Sequence, residues 1–431
     1  MKGISIIGLG KLGLPLATLI AGKGFYVVGV DIDGDKIIFL NNGGIPDYEP
    51  GLEEIFTQNH PNMCFTNEFN KAIEETDISI ILVNTPSNKD GSFSNKYIEA
   101  SLTKLSLELE KSNKPYHLFV ISSTVMPGSI NNSFIPLINK ISGREVNEGY
   151  GICFIPDFVA LGTVINDFQN PDMLIVGESE KKAGDIAISY FSTIINNKAS
   201  ISRMSIIEAE IAKISLNTYI CMKIGFANFL TNICEQYDNA NVDNITNSIG
   251  LDRRIGKDYL KGGLPYGGTC FPRDTWAFIK MAEKVGFDAV HIKTIEKMNS
   301  EHYEKIKELI IKYDPKSVSI LGIAFKQHTS VLTGSTGYKL IGDLLKFNII
   351  VNIYDPVKDA INSAKIIYDN KIQYYRNYVD CVKSSKFCII TNMNKEYENI
   401  EKYLTKDHIV FDCWRAFNTL DVKEHIKIGV K

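Results

Sequence analysis

The segment Gly8-Leu9-Gly10-Lys11-Leu12-Gly13 constrains this chain more than any other stretch of it. It follows the apolar run of residues 3–8 (GISIIG) and precedes a stretch from Leu12 to about Gly22 with helical periodicity. Residues 25–31 (FYVVGVD) then give a second strand ending in Asp31. That spacing predicts a βαβ unit with the glycines at its first turn, where they permit a tight bend and close backbone approach. The helix N-terminus behind them can hold a pyrophosphate. An acid about 20 residues further on accepts ribose hydroxyls and repels a 2′-phosphate, so Asp31 favours NAD over NADP. Lys36 lies near enough in sequence to moderate that preference.

Strands of the same continuous apolar kind recur at 78–83, 118–123, 151–155 and 173–177. Alternation with helical segments predicts a parallel sheet covered on both faces. From about Ser205 the pattern changes. Residues 205–238 carry helical spacing without a proline, and further helical stretches follow at 241–250, 274–285 and 289–312. Residues 317–323 (SVSILGI) restart a strand, followed by a helix at 336–347 and strands at 349–354, 387–391 and 408–412. The expected fold is therefore α/β, with two doubly wound Rossmann-like domains (1–203 and 313–431) joined by a central helical domain (204–312) that contains a long helix.

With a net charge of -3 the chain offers no electrostatic case for nucleic acid or an anionic membrane, so an anionic ligand needs a local site. No apolar run approaches the ~20 residues that span a bilayer, and the N-terminus lacks the core of a signal peptide. The eight cysteines form no CxxC pair, and a chain of 431 residues does not need disulfide staples. Reduced thiols in the cytoplasm are expected, and no metal site.

Two segments carry chemistry. In Ala209-Glu210-x-x-Lys213-x-x-x-Asn217 the last two polar residues are four apart on the long helix and share a face. A cation and an amide donor there suit an alkoxide or oxyanion; the plainer reading is a solvated lysine on an amphipathic helix. The second segment is Pro265-Tyr266-Gly267-Gly268-Thr269-Cys270-Phe271-Pro272-Arg273-Asp274. Its two glycines leave room for a ligand beside the thiol, and Asp274 is placed to handle a proton or orient water. The plainer reading of a single cysteine, applied to the other seven, is an inert buried side chain.

Taken in order, these segments resemble the UDP-glucose/GDP-mannose dehydrogenase family over nearly the whole chain. The carriers begin with GLGKLGLPLA and VDID, Tyr48-Glu49-Pro50-Gly51-Leu52, Asn84-Thr85-Pro86 and Ser123-Thr124-Val125-Met126-Pro127-Gly128. They continue with Pro156-Asp157-Phe158, AEIAKISLN, Arg254-Ile255-Gly256 and GGTCFPRD, then Gly322-Ile323-Ala324-Phe325-Lys326 and Tyr354-Asp355-Pro356. The resemblance implies a homodimer that oxidises a nucleotide sugar twice with NAD and supplies uronate for polysaccharide synthesis. Cys270 would attack the sugar aldehyde, giving a thiohemiacetal and then a thioester. Lys213 and Asn217 would stabilise oxyanions, Thr124 and Asp274 would position water, and Asp157 would act as a base. Gly8, Gly10, Leu12, Gly13, Asp31, Lys36, Thr85, Pro86 and Thr124 would contact the cofactor. Phe158, Lys213, Asn217, Tyr259, Gly267, Phe325 and Lys326 would contact the substrate. Arg254 would reach the pyrophosphate of a neighbouring subunit's ligand, with Arg415 serving the same anion.

Three departures from the family pattern bear on the substrate. Asp157 stands where glutamate is usual, Leu161 where the UDP-glucose branch often has a second glutamate, and residues 327–333 (QHTSVLT) replace an acidic, arginine-containing stretch. The form of the cysteine loop and of Arg254-Ile255-Gly256 favours UDP-glucose. Leu161 keeps UDP-N-acetylmannosamine, UDP-N-acetylglucosamine and GDP-mannose open. Two other classes share features: β-hydroxyacid dehydrogenases, which need no catalytic cysteine, and a nucleotide-sugar-binding regulator without turnover.

Overall fold

The structure, a computed structural model, describes residues 3–431. It divides into two compact units, Met1–Ser215 and Leu216–Lys431, and the division falls inside a single helix, Ile206–Cys234.

The first unit is built on strands β1 (Gly3–Ile7), β2 (Val27–Val30), β3 (Met63–Thr66), β4 (Thr76–Ile81), β5 (Leu118–Ile121), β6 (Gly151–Phe154), β7 (Met173–Glu178) and β8 (Ser200–Ser205). Their order in the sheet is β3-β2-β1-β4-β5-β6-β7-β8, so the chain reverses its winding between β1 and β4. Neighbours run parallel except β6 and β7, which pair antiparallel and turn the last two strands round. Alternate residues of one strand enter opposite layers: Ile6 belongs to the apolar layer that includes helices Gly13–Ala21 and Lys181–Ile194, whereas Ile7 belongs to the one that includes Lys96–Lys111. Burial on both faces is what the unbroken apolar strands require.

In the second unit the strands are β9 (Ser317–Leu321), β10 (Ile350–Tyr354), β11 (Gln373–Tyr374), β12 (Phe387–Ile390), β13 (Ile409–Asp412) and β14 (Glu424–Lys427). They form an all-parallel sheet in the order β11-β10-β9-β12-β13-β14. This unit also holds helices Val242–Gly250, Phe271–Lys284 and Val290–Lys312 and most of Ile206–Cys234. Among the described residues, no helix is long and apolar enough to cross a membrane.

The second sheet repeats the first turn of the chain with an insertion. Gly8 ends β1 with φ +99°, and a Cβ on Gly13 would collide with the Gly8 carbonyl oxygen. Gly322 follows β9 with φ +89°, and a Cβ on Gly337 would lie 2.6 Å from the Gly322 carbonyl oxygen. Both glycine pairs let a helix start directly against the strand that feeds it. Asp31 after β2 accepts from the Leu9 amide at 2.9 Å, and Asp355 after β10 accepts from the Ile323 and Ala324 amides at 2.8 and 2.9 Å. The paired glycines stand five positions apart in the first turn and fifteen in the second, which hides the repeat from direct sequence comparison.

Candidate active site

Ligands of doubly wound sheets bind outside the strand C-termini where the winding reverses. In the first unit that crevice is bordered by the glycine turn after β1 and by Asn84, Thr85 and Pro86 after β4. Thr85 is buried and Pro86 exposed. Gly10 is exposed, and a Cβ built on it would meet nothing within 4 Å, so the turn opens onto free space. Helix Gly13–Ala21 carries no acidic residue in its first turn and no side-chain cap at Leu12. In that turn Leu14 N–H donates to the Gly10 carbonyl at 3.1 Å and Pro15 has no N–H, so an anion would meet the positive end of the helix at the glycine turn itself. These residues fit a dinucleotide pyrophosphate.

Asp31 accepts from the Leu9 amide and from Lys36 Nζ through Oδ2, at 2.9 Å each, and from the Asp33 amide at 3.1 Å through Oδ1. Burial alone would raise its pKa, but these donors, Lys36 foremost, outweigh burial and hold it below the usual carboxylate value. Lys36, expected from sequence to moderate the preference set by Asp31 and to contact the cofactor, pairs directly with the acid.

Further along the same strand ends, Ser123 Oγ donates to the Val83 carbonyl at 2.7 Å and ties the loop carrying half-buried Thr124 to the loop carrying Thr85. Glu210, fully buried on the long helix, accepts from the amides of Gly128 (2.6 Å) and Ile130 (3.1 Å). Burial raises its pKa although both amides lower it. Glu49 accepts from the amides of Gly162 (2.8 Å) and Val164 (2.7 Å), anchoring the loop that carries Asp157, Phe158 and Leu161. Both glutamates lie in motifs quoted above, yet their role as loop anchors has no local sequence signal, because each partner is a backbone amide 80 or more residues away.

Lys213 Nζ donates to the Asp157 carbonyl oxygen and sits 4.6 Å from the centre of the Phe158 ring, a cation–π contact. It is therefore a buried, oriented cation, not a solvated one. The Asp157 carboxyl is pushed up to about 7 by burial, which outweighs the pull of Lys213. Its Oδ2 is closed to solvent and has no hydrogen-bond partner among the described residues. Leu161 packs against the hydrophobic layer of this unit instead of supplying a second carboxylate.

In the second unit Cys270 is the N-cap of helix Phe271–Lys284, which starts three residues earlier than the periodicity suggests because Pro272 suits a first helical turn. Cys270 is the one exposed thiol of the eight; Cys64 is partly covered and the other six are buried. Burial pushes the thiols of Cys153, Cys221 and Cys388 up to about 12, far from thiolate character at neutral pH. Asp274, one turn after Cys270, accepts from Asn217 Nδ2 at 2.6 Å and from Arg273 Nε at 3.2 Å.

Two sequence expectations change here. Gly267 and Gly268 do not make room for a ligand. A Cβ on Gly267 would collide with the Gly334 backbone, and one on Gly268 (φ +79°) would lie 2.8 Å from the Phe325 ring. They are glycines because another loop of the chain packs there. Arg415 is not a ligand for an anion in solution. Its side chain is 3% exposed and forms a two-pronged pair with Asp243 (2.7 and 2.8 Å), with further bonds to the Ile428 and Gly262 carbonyls. Arg254 is exposed and paired with Asp252 at 2.6 Å.

A cavity of about 290 Å³ opens at the reversal between β9 and β12, lined by Tyr259, Phe271, Phe325, Lys261, Lys326 and Trp414 among others. Ser335, Thr336 and Gly337 at the start of helix Thr336–Lys346 also face it, bringing a helix N-terminus to its wall. Trp414 takes the place expected of Arg415: its indole N–H donates to the Thr391 carbonyl at 2.9 Å, which fixes the ring at the cavity. Lys261 is a lining cation that sequence reasoning missed, since a lone lysine carries no signal.

A dinucleotide turn on one sheet, and on the other an aromatic cavity with two lysines and a helix N-terminus, define an NAD-dependent dehydrogenase of a nucleotide-linked substrate. The comparisons agree. The description "UDP-glucose/GDP-mannose dehydrogenase family, NAD binding domain" matches residues 2–195; the central domain of that family matches 207–301 and its UDP binding domain 319–419. The chain belongs to the UDP-glucose/GDP-mannose dehydrogenase family, and it is an NAD-dependent nucleotide-sugar dehydrogenase. UDP-glucose 6-dehydrogenase TuaD of Bacillus subtilis (strain 168) is 31% identical, the match covering 97% of this chain and 90% of that protein. GDP-mannose 6-dehydrogenase of Pseudomonas aeruginosa is 32% identical, covering 82% and 80%. The solved UDP-glucose dehydrogenase from Pyrobaculum islandicum aligns over 100% of this chain and 98% of its own, with TM-score 0.90 and 26% identity. Family membership sets aside the β-hydroxyacid dehydrogenases and the non-catalytic regulator.

Proposed function

We propose that this enzyme oxidises UDP-glucose to UDP-glucuronate in two steps through a covalent intermediate on Cys270. The observation that carries the covalent reading is the exposure of Cys270 alone among eight thiols, at the N-cap of a helix where an incoming carbonyl can reach the sulfur. NAD bound at the glycine turn supplies the two-electron acceptor for each oxidation. Lys213 and Asn217 stabilise the alkoxide as the alcohol loses its proton. An aldehyde has no hydride to give until something adds to its carbonyl. The Cys270 sulfur bonds to that carbon and forms a thiohemiacetal, which loses hydride and a proton to become a thioester. Water then displaces the sulfur, releasing carboxylate and regenerating the thiol. Asp157, with its raised pKa, takes the proton from water, and Thr124 and Asp274 orient it.

The sugar assignment draws on the form of the cysteine loop and of Arg254-Ile255-Gly256, and on the match to UDP-glucose 6-dehydrogenase TuaD, which covers 97% of this chain against 82% for the GDP-mannose 6-dehydrogenase of Pseudomonas aeruginosa at similar identity. The seat for the nucleotide is the cavity at β9 and β12, with Lys326 and Phe325 on its wall. In this reading the chain has an NAD domain (1–203), a helical dimerisation domain (204–312) and a UDP-sugar domain (313–431). Exposed Tyr219, Phe226, Phe229 and Ile233, spaced at threes, fours and sevens along the long helix, support a homodimer. Arg254 reaches the partner's ligand across it. The unpaired cysteines suit the cytoplasm, where the uronate would feed polysaccharide synthesis.

The test is to incubate the purified protein with NAD and a panel of UDP- and GDP-sugars. UDP-glucose is expected to give two NADH per sugar. Preference for a UDP-N-acetylhexosamine or GDP-mannose overturns the sugar assignment, and one NADH per sugar overturns the double oxidation.

A further inference from the structure

Among the described residues, the hydrogen-bonding neighbour of the Cys270 sulfur is Thr269 Oγ1, at 3.6 Å. The cysteine's position comes from the backbone. On the N-terminal side Tyr266 is clamped by Asn299, whose side chain both accepts from the Tyr266 amide and donates to its carbonyl at 2.9 Å. On the C-terminal side helix Phe271–Lys284 begins. Between these fixed points lie Gly267, Gly268, Thr269 and the cysteine, and they rest on the loop between β9 and helix Thr336–Lys346. Gly267 abuts Gly334 backbone to backbone, so closely that a Cβ on either would intrude on the other strand of chain. One on Gly334 would lie 2.5 Å from the Gly268 nitrogen and 3.1 Å from Gly267 Cα. Gly334 is itself left-handed, with φ +70°, and lines the nucleotide cavity.

We propose that Gly334 is a positioning residue for the second oxidation: its contact with Gly267 sets where the Cys270 sulfur stands relative to the sugar aldehyde. The inference rests on the covalent role of Cys270. Removing hydride from the alcohol needs no thiol, so the first oxidation is indifferent to this contact. Forming the carbon–sulfur bond needs the thiolate within reach of the carbonyl carbon, and a displacement near 1 Å costs such a step about 100-fold. A methyl group at 334 forces a shift of that order.

The experiment compares Gly334→Ala, Gly334→Asn, Gly286→Ala and Cys270→Ser, following NADH per UDP-glucose in single turnover with an aldehyde trap present. Gly286 has φ +85° but open space around its Cβ position, so its alanine variant carries the backbone strain without the collision. Asparagine tolerates a left-handed backbone, so Gly334→Asn keeps the collision with less strain and is the variant to use if Gly334→Ala fails to fold. With UDP-glucose saturating, so that any weakening of nucleotide binding by the added side chain drops out of the comparison, both Gly334 variants are expected to slow the second NADH ~10–100-fold relative to the first and to release trappable aldehyde, while Gly286→Ala keeps the parental ratio. Parental two-NADH turnover in the folded Gly334 variants, alongside a defective Cys270→Ser, overturns the proposal. The same split in Gly286→Ala also overturns it, since strain alone would then suffice. Two NADH from Cys270→Ser overturns the covalent reading underneath.

Discussion

Asn217 Nδ2 donates to Asp274 Oδ2 at 2.6 Å, and the two side chains are 9% and 1% exposed. The bond joins the long helix to the helix that opens with Cys270. With Arg273 Nε on the other oxygen, both carboxylate atoms of Asp274 are engaged. The aspartate therefore holds the Asn217 amide in one orientation.

Asp274→Asn keeps the shape of the side chain but sets a donor against a donor. It is expected to cost about 2–4 kcal/mol of stability, because a buried partner is left unsatisfied. Turnover with UDP-glucose is expected to fall ~100-fold or more, since the oxyanion donor loses its orientation. Denaturant melts and NADH formation measure the two effects. Parental turnover in the folded variant would remove Asp274 from the reaction.

Asp157 links pH to stability in a defined direction. Its ordinary carboxyl value is 3.8, and burial raises it to about 7 in the fold. Between those values the folded state retains a proton that the unfolded chain has released, so the parent loses stability as pH rises from about 4 to about 7. Above that the cost is constant. Asp157→Asn escapes it, and is expected to be more stable by up to about 4 kcal/mol at pH 8 with no gain near pH 4. Thioester hydrolysis should be lost in the same variant. Melting curves across pH, read beside the rate of the hydrolytic step, test both; equal stability at pH 8 would mean that the carboxylate is not confined as described.

What could be read from the sequence follows the range of each interaction. Gly8, Gly13 and Asp31 were legible because turn geometry and a strand-end acid are local requirements with fixed spacing. The edge strands β3, β8, β11 and β14 were not: β11 has two residues, β8 and β14 are polar and partly exposed, and β3 (MCFT) lacks the unbroken aliphatic run of the central strands. Glycines of the cysteine loop announced a close approach but not what approaches; the second party was Gly334, 67 positions on. Trp414 and Arg415 show the same limit. Arg415 has φ +56°, and its side chain goes to Asp243 while Trp414 faces the cavity. A motif reading chose the charged neighbour, and only the fold separates them.

Arg415→Ala is accordingly expected to act on stability, by about 2–4 kcal/mol, because it leaves Asp243 and two carbonyls without their donor. The KM for UDP-glucose at a permissive temperature should stay near the parental value. Lys326→Ala and Trp414→Ala should do the reverse, raising KM ~10-fold with a smaller change in melting temperature. Calorimetric titration with UDP separates the groups, and a large loss of UDP affinity in Arg415→Ala would return that residue to the binding site.

Cofactor choice turns on Asp31 and Lys36. In the structure the ammonium partly neutralises the acid from 2.9 Å, so the negative charge that would repel a 2′-phosphate is blunted. Lys36→Met removes that compensation and is expected to raise the NAD to NADP ratio of kcat/KM by ~3–10-fold. Asp31→Ser removes the repulsion, leaves Lys36 as a partner for the 2′-phosphate, and should shift the ratio toward NADP by ~100-fold. The second change also takes an acceptor from the Leu9 amide inside the glycine turn, so activity with NAD should fall in absolute terms as well. Initial rates with each cofactor across a concentration series measure the ratio directly. If Asp31→Ser kept the full preference for NAD, discrimination would have to arise elsewhere in the turn.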